Sequence, residues 1–198
     1  APASLTKMMT VLLATEALPD LDTPVTLPED IFPALYKADA SMAGFQPGET
    51  VTVQDLLYGA MLPSGAECCE ALARQVSGSE EAFVARMNER AKELGMHDTH
   101  FLNCTGLPAE GHVTSAYDIA LMSRELILNH PDLRRFTTIW MDSLRNGESL
   151  LVNTNKLVRF YPGTTGLKTG STSSAGYCIS ATAEKDGMEL IAVVLGGS

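Results

Sequence analysis

The chain has 198 residues, of which 45% are hydrophobic and 19% charged, a composition that builds a globular domain with a sizeable core rather than a disordered segment. Its formal net charge of −10, with only 14 Lys and Arg, excludes a nucleic-acid partner, because a phosphate backbone needs a basic face. No apolar run approaches the roughly 18–20 residues of a membrane helix, and with no charged-then-apolar leader at Ala1 the expectation is that any signal segment has been removed or was never included.

In chain order, the first predicted helix covers about Ser4 to Leu18, with Leu5, Met8, Met9, Leu12 and Leu13 as its buried stripe and Pro19 as its end. Residues 19–50, rich in Pro, Asp and Gly, read as loops around short extended pieces. A helix near Val53 to Leu62 starts at Thr52 or Val53 and stops before Pro63, and another follows from about Glu67 to Val76. Ser77-Gly78-Ser79-Glu80 reads as a capping box launching a helix that ends at Gly95, and Ser115-Ala116-Tyr117-Asp118 opens one that runs to about Asn129. From Ser149 onward β-branched residues increase, and Asp186-Gly187 is a turn dipeptide between two alternating apolar runs. Helices first and strands last predict an α+β domain with helices packed on an antiparallel sheet, spanning 1–198 without repeat or linker.

Cys68 and Cys69 are adjacent, which strains a mutual bridge, and Cys104 and Cys178 lie far off. Without a C-x-x-C spacing the reading is four free, mostly buried thiols. His97, His100 and Cys104 fall within eight residues, but in what reads as a helix-to-loop exit rather than a metal centre. Trp140 reads as core or loop packing, and Asn153, Asn155 and Lys156 as solvated loop.

Three short motifs are candidates for chemistry. Ser4 and Lys7 stand three apart on a helix, so they share a face with Cβ atoms roughly 5–6 Å apart. A serine hydroxyl is a poor nucleophile until a neighbour takes its proton, and a neutral lysine can do so. By chance such a pair occurs about once in a chain of this length, so the pair alone decides nothing. Ser64 lies in a break between two helices, where a plain N-cap is the bland alternative. In Lys168-Thr169-Gly170, strand alternation puts Lys168 and Gly170 on one face, and the absent side chain of Gly170 is expected to let a substrate approach the backbone. Lys168 supplies charge there; Thr169, Ser171 and Thr172 supply hydroxyls.

In this order, S-x-x-K, S-G-x and K-T-G resemble the penicillin-recognising serine enzymes. The stretches PASLTKMMT, PGETVTVQDLLYGAMLPSG, GSEEAFVARMNERAKELGMHDTHF and YPGTTGLKTGSTSSAGYCISATA resemble the low-molecular-weight D-alanyl-D-alanine carboxypeptidases, from Pro2 to the end. The resemblance implies a β-lactamase/transpeptidase-like fold and an extracytoplasmic enzyme that trims the terminal D-alanine of peptidoglycan stem peptides, with β-lactams as inhibitors and no metal or cofactor. It implies Ser4 as the acylated nucleophile, Lys7 as its base and Ser64 as a proton relay. The backbone N–H groups of Ser4 and Ser171 would form an oxyanion hole, with Lys168 and Thr169 on the substrate carboxylate and Gly170 beside them. Lys168 is expected to lower the Lys7 pKa alongside burial.

The chain departs from that pattern in three ways. Ala66 replaces the usual asparagine of S-x-N, removing a partner of the lysine and of a substrate carbonyl, while Glu67 next to it is given no role. Ala1 stands three residues short of Ser4, where the family has preceding strands, and the chain stops at Ser198, before a carboxylate-binding arginine and a closing helix. The expectation is a domain trimmed at both ends, or completed by another segment or chain, leaving the Glu189–Leu195 strand bare or paired to something outside this sequence. Two other readings compete. A β-lactamase-like hydrolase would need a deacylating glutamate, which Glu110 and Glu125 do not supply in an E-x-x-x-N pattern, and a non-catalytic cell-wall-peptide-binding module would keep only the fold.

Overall fold

A computed structural model describes residues 1–147 and 149–198. The chain enters through a 3-10 turn, Ala3–Leu5, that runs directly into α1, Thr6–Ala17. Every residue of α1 from Thr6 to Ala14 is buried, so the predicted stripe was too narrow. A helix apolar nearly all round is a central one, and burying Met8, Met9, Val11, Leu12 and Leu13 contributes roughly 1.5–3 kcal/mol per side chain.

The segment up to residue 52 holds strand β1 (Pro24–Thr26), the short helix α2 (Phe32–Lys37) and β2 (Thr50–Thr52), with β1 and β2 antiparallel. Helix α3 (Val53–Met61) begins with a full capping box, Thr52 exchanging bonds with Asp55. Helix α4 (Ala66–Ser77) stops at Gly78 in the left-handed conformation, φ +80°. Ser77 is therefore the end of α4, and the N-cap of α5 (Glu80–Glu93) is Ser79, whose Oγ accepts from Ala82 N–H. Helix α6 (Ala116–Asn129) is capped by Ser115 as predicted. The Asp118 carboxylate does not close that box; it accepts from Asp98 N–H and Thr99 Oγ1, tying α6 to the end of α5.

A one-turn helix, α7 (Arg134–Thr137), leads to the antiparallel pair β3 (Met141–Leu144) and β4 (Ser149–Val152), and another, α8 (Leu157–Phe160), leads to the main sheet. That sheet is a meander of β5 (Thr164–Thr172), β6 (Gly176–Lys185) and β7 (Met188–Gly197) in the order β5-β6-β7. The predicted hairpin turn stands: Asp186 and Gly187 take φ +52° and +77° between the paired Lys185 and Met188, as a type I′ turn requires. One sheet face packs on α6, where Ser123 and Ser180 share a buried hydrogen bond. The other presents Ile179, Ala181, Leu190 and Val194 outward, none of them buried. Among the described residues β7 pairs with β6 alone.

Candidate active site

Ser4 sits in the 3-10 turn between β5 and the loop 103–107. Ala3, just before it, takes φ +48°, a left-handed conformation that costs an alanine roughly 1–2 kcal/mol. The turn is wedged from both sides. A Cβ at Gly170 would lie 2.6 Å from Ser4 N, and one at Gly106 would lie 2.0 Å from the Ala3 carbonyl oxygen. Gly170 is thus glycine so that strand β5 and the Ser4 backbone can touch, and it also lines the cleft beside Ser4.

One turn along, Lys7 Nζ donates to Ser4 Oγ at 3.0 Å and to the Thr105 carbonyl at 2.6 Å. Thr10 Oγ1 bonds the Cys104 carbonyl, and Asn103 Oδ1 accepts from Thr105 and Gly106 N–H. The Asn103–Gly106 turn therefore holds the lysine in place. Sequence reasoning missed it, although an Asn three residues before a Gly is a turn signal. Burial lowers the Lys7 pKa from its ordinary range. Lys168 is fully buried too, its Nζ donating to the Thr169 carbonyl, and its pKa drops to about 7 through burial first and the nearby Lys7 charge second. Burial thus dominates at both lysines, and the repulsion expected to act on Lys7 is felt at Lys168.

Ser64, between α3 and α4, is buried at φ +69°, and its Oγ has no hydrogen-bond partner among the described residues. Ser4, Ser64, Thr169, Gly170 and Ser171 line one cleft of about 520 Å³. A second hollow of about 340 Å³ shares Ser4, Ser41 and Ser171 with it and adds Lys7, Ala66 and Thr105. Ser4 thus stands between the two. The structure gathers all the predicted site residues around one turn, with Lys168 behind the cleft lining rather than on it. Thr169 Oγ1 bonds Thr154 Oγ1 at 2.6 Å.

Several readings change at this point. Asn153 and Asn155 are buried, not solvated, bonding the Ile139 and Gly166 carbonyls and so fixing the entry to β5; Lys156 is exposed as expected. All four cysteines are free and buried, as read. Cys104 lies beside Glu70 and Glu80 while His97 and His100 face solvent. Burial pushes the Cys69 thiol up to about 12 and holds Cys68 and Cys104 well above the ordinary value, so the thiols around Lys7 are neutral and inert. Glu67 is buried, and its Oε1 accepts from the backbone N–H groups of Ala43, Gly44 and Phe45. Glu125 is paired to Arg90 and Glu110 is exposed, and neither lines the two hollows that Ser4 borders. Trp140 is half-buried and packs with Phe160 and Arg159.

The profile of a protein family described as D-alanyl-D-alanine carboxypeptidase matches residues 1–198. The chain is 46% identical over 205 residues to the D-alanyl-D-alanine carboxypeptidase DacF of Bacillus subtilis, covering all of this chain and 51% of that protein. It is 34% identical to the D-alanyl-D-alanine carboxypeptidase of Streptomyces sp. K15, covering 97% and 71%. Among solved structures, the Streptomyces K15 DD-transpeptidase superposes with a TM-score of 0.90 at 29% identity, covering 98% of this chain and 80% of that one. Penicillin binding protein 5 from Haemophilus influenzae does so with 0.91 at 31% identity, covering 98% and 58%. The chain spans about half the length of several curated relatives it matches, and its α+β architecture is that of the β-lactamase/transpeptidase-like neighbours.

Proposed function

Because the chain belongs to the D-alanyl-D-alanine carboxypeptidase family, we propose that it is the catalytic part of a serine D-Ala-D-Ala carboxypeptidase, working outside the cytoplasmic membrane on peptidoglycan stem peptides. The observation that carries the reading is the Lys7 Nζ to Ser4 Oγ contact of 3.0 Å, with both side chains opening on one hollow. Burial lowers the Lys7 pKa and so favours the neutral amine, which is the form that can take a proton.

Ser4 Oγ attacks the carbonyl carbon between the two terminal D-alanines as Lys7 takes its proton. The oxyanion points to the backbone N–H groups of Ser4 and Ser171, which the packing of the Ser4 turn on β5 supports. Ser64 Oγ, without a hydrogen-bond partner among the described residues, passes the proton to the leaving amine, and D-alanine departs. Water then attacks the Ser4 ester and the same groups return the proton. Thr169 and Ser171 receive the substrate carboxylate at the cleft surface, and the arriving anion favours the protonated form of Lys168 behind them. Lys7 keeps Thr105 as an anchor, so Ala66 in place of asparagine does not leave it unpartnered. β-Lactams acylate Ser4 as substrate mimics. Strand β7, which pairs with β6 alone among the described residues, has its other edge open to a further segment or chain.

The test is intact-mass spectrometry with benzylpenicillin. A covalent adduct on the wild-type chain and none on Ser4→Ala is expected; no adduct on folded protein would leave only a binding module. A second reading has a specific basis, since one structural neighbour at TM-score 0.90 is a DD-transpeptidase. There the acyl group goes to an amine rather than water, so product analysis with an added amine acceptor separates the two.

A further inference from the structure

We propose that Glu67 is a positioning residue of the Ser4 site, its carboxylate clamping the Ser41–Phe45 segment as one wall of the cleft. The inference rests on the acylation chemistry proposed above and adds to it a residue outside the three motifs.

Glu67 lies in the first turn of α4, three residues beyond Ser64, and is completely buried. Its Oε1 gathers the N–H groups of Ala43 and Gly44 at 2.7 and 2.9 Å and that of Phe45 at 3.4 Å. Consecutive amides converging on one oxygen form an anion nest, here at the start of a 12-residue helix whose dipole favours negative charge. The same turn grips the segment a second time, Ala66 N–H donating to the Ser41 carbonyl at 2.8 Å. Residues 40–46 have no helix or strand of their own, so these bonds decide where the segment lies. What it carries into the site is Ser41, which lines both hollows beside Ser4.

Oε2, the second carboxylate oxygen, is buried without a partner and lies 2.9 Å from where a Cβ on Gly65 would be. The groups that face Lys7 are Glu67, Cys68 and Cys69 from α4, Cys104 and the Thr105 carbonyl from the loop, Lys168 from β5, and Ser4 on its own turn. The thiols being neutral, Glu67 is the carboxylate among these groups, and its charge favours protonated Lys7. Burial pushes the Glu67 pKa up, while the amides on Oε1 favour the anion.

The experiment compares wild type, Glu67→Gln and Glu67→Ala in the chain with its natural flanking sequence. Glutamine keeps the acceptor and the size but removes the charge; alanine removes both. Three quantities are read: the Lys7 titration midpoint by NMR, amide exchange at Ala43–Phe45, and the pH profile of benzylpenicillin acylation per folded molecule. Glu67→Gln is expected to move the Lys7 midpoint and the acid limb of acylation together to lower pH, with amide protection retained. Glu67→Ala is expected to speed exchange at Ala43 and Gly44 about tenfold or more and to slow acylation about tenfold even above the Lys7 midpoint. Normal acylation in a folded Glu67→Ala overturns the proposal, and an unmoved Lys7 midpoint in Glu67→Gln limits Glu67 to the clamp alone. Should Glu67→Ala not fold, Ala43→Pro, which removes the N–H donated to Glu67 Oε1, takes its place, and acylation at the wild-type rate there overturns the proposal. A wild type that forms no Ser4 adduct overturns the carboxypeptidase reading instead, and midpoint and exchange still decide what Glu67 holds.

Discussion

Gly170→Ala tests the site through a single methyl group. The backbone at Gly170 is outside the left-handed region, so alanine meets no conformational penalty and the effect is steric. Its Cβ would stand 2.6 Å from Ser4 N, 3.1 Å from Ala3 Cβ and 3.2 Å from Leu5 N, where ordinary contact begins at 3.4 Å. The shortfalls are about 0.8, 0.3 and 0.2 Å, and two of the three obstacles are backbone atoms. Retreat is blocked on the far side, because the Ala3 carbonyl already packs against Gly106. Either Ser4 or β5 must move by most of an ångström. Overpacking of this kind costs about 1–3 kcal/mol, a Tm loss of roughly 2–12 °C at this size. A displacement near 1 Å at the reacting atom costs about 100-fold in rate. Acylation by benzylpenicillin, followed by intact mass on protein shown to be folded, should therefore slow about 100-fold as the Tm falls. An unchanged acylation rate in the folded variant would refute the reasoning. An unchanged Tm with weaker saturation by penicillin would instead restore the view that Gly170 makes room for substrate.

Two further outcomes follow from the buried groups. Lys168 has a pKa of about 7 against an ordinary 10.5, so the unfolded chain binds more protons between those values and stability rises with pH across that window. The penalty is complete below pH 7; in urea at pH 6, Lys168→Met should be more stable than wild type by about 2–4 kcal/mol, with the margin shrinking toward pH 10. A margin that is constant or grows with pH would contradict the assignment. Ser64 holds φ +69°, so Ser64→Gly should stay within about 1 kcal/mol of wild type while Ser64→Val, β-branched in a left-handed position, loses about 1–3 kcal/mol. Both should lose D-alanine release, measured by product assay; release at the wild-type rate in Ser64→Gly would remove the hydroxyl from the proton path.

Much of this protein was legible in the order of its residues because the relevant physics is local. The Asp186-Gly187 hairpin, the Thr52 and Ser115 caps and the Ser4–Lys7 neighbourhood each depend on a few consecutive residues obeying a strand, turn or helix period. The motifs at Ser4, Ser64 and Lys168 could be named for the same reason. Their meeting could not be deduced from spacing, since 57 and 161 residues separate Lys7 from Ser64 and from Lys168. Only the tertiary structure shows that α1 is buried on all sides from Thr6 to Ala14, and that burial, more than any neighbouring charge, is what lowers the Lys7 pKa. Gly170 reads as room for a substrate and Asn155 as solvated loop until the Ser4 turn and the Gly166 carbonyl are brought against them. Glu67 illustrates the limit most clearly. As a residue it is an ordinary acid in the first turn of a helix, and it acquires a function only when the amides of Ala43, Gly44 and Phe45, more than twenty positions upstream, converge on one of its oxygens. Desolvation and convergence of backbone groups are properties of packing, and packing is set by the whole chain at once.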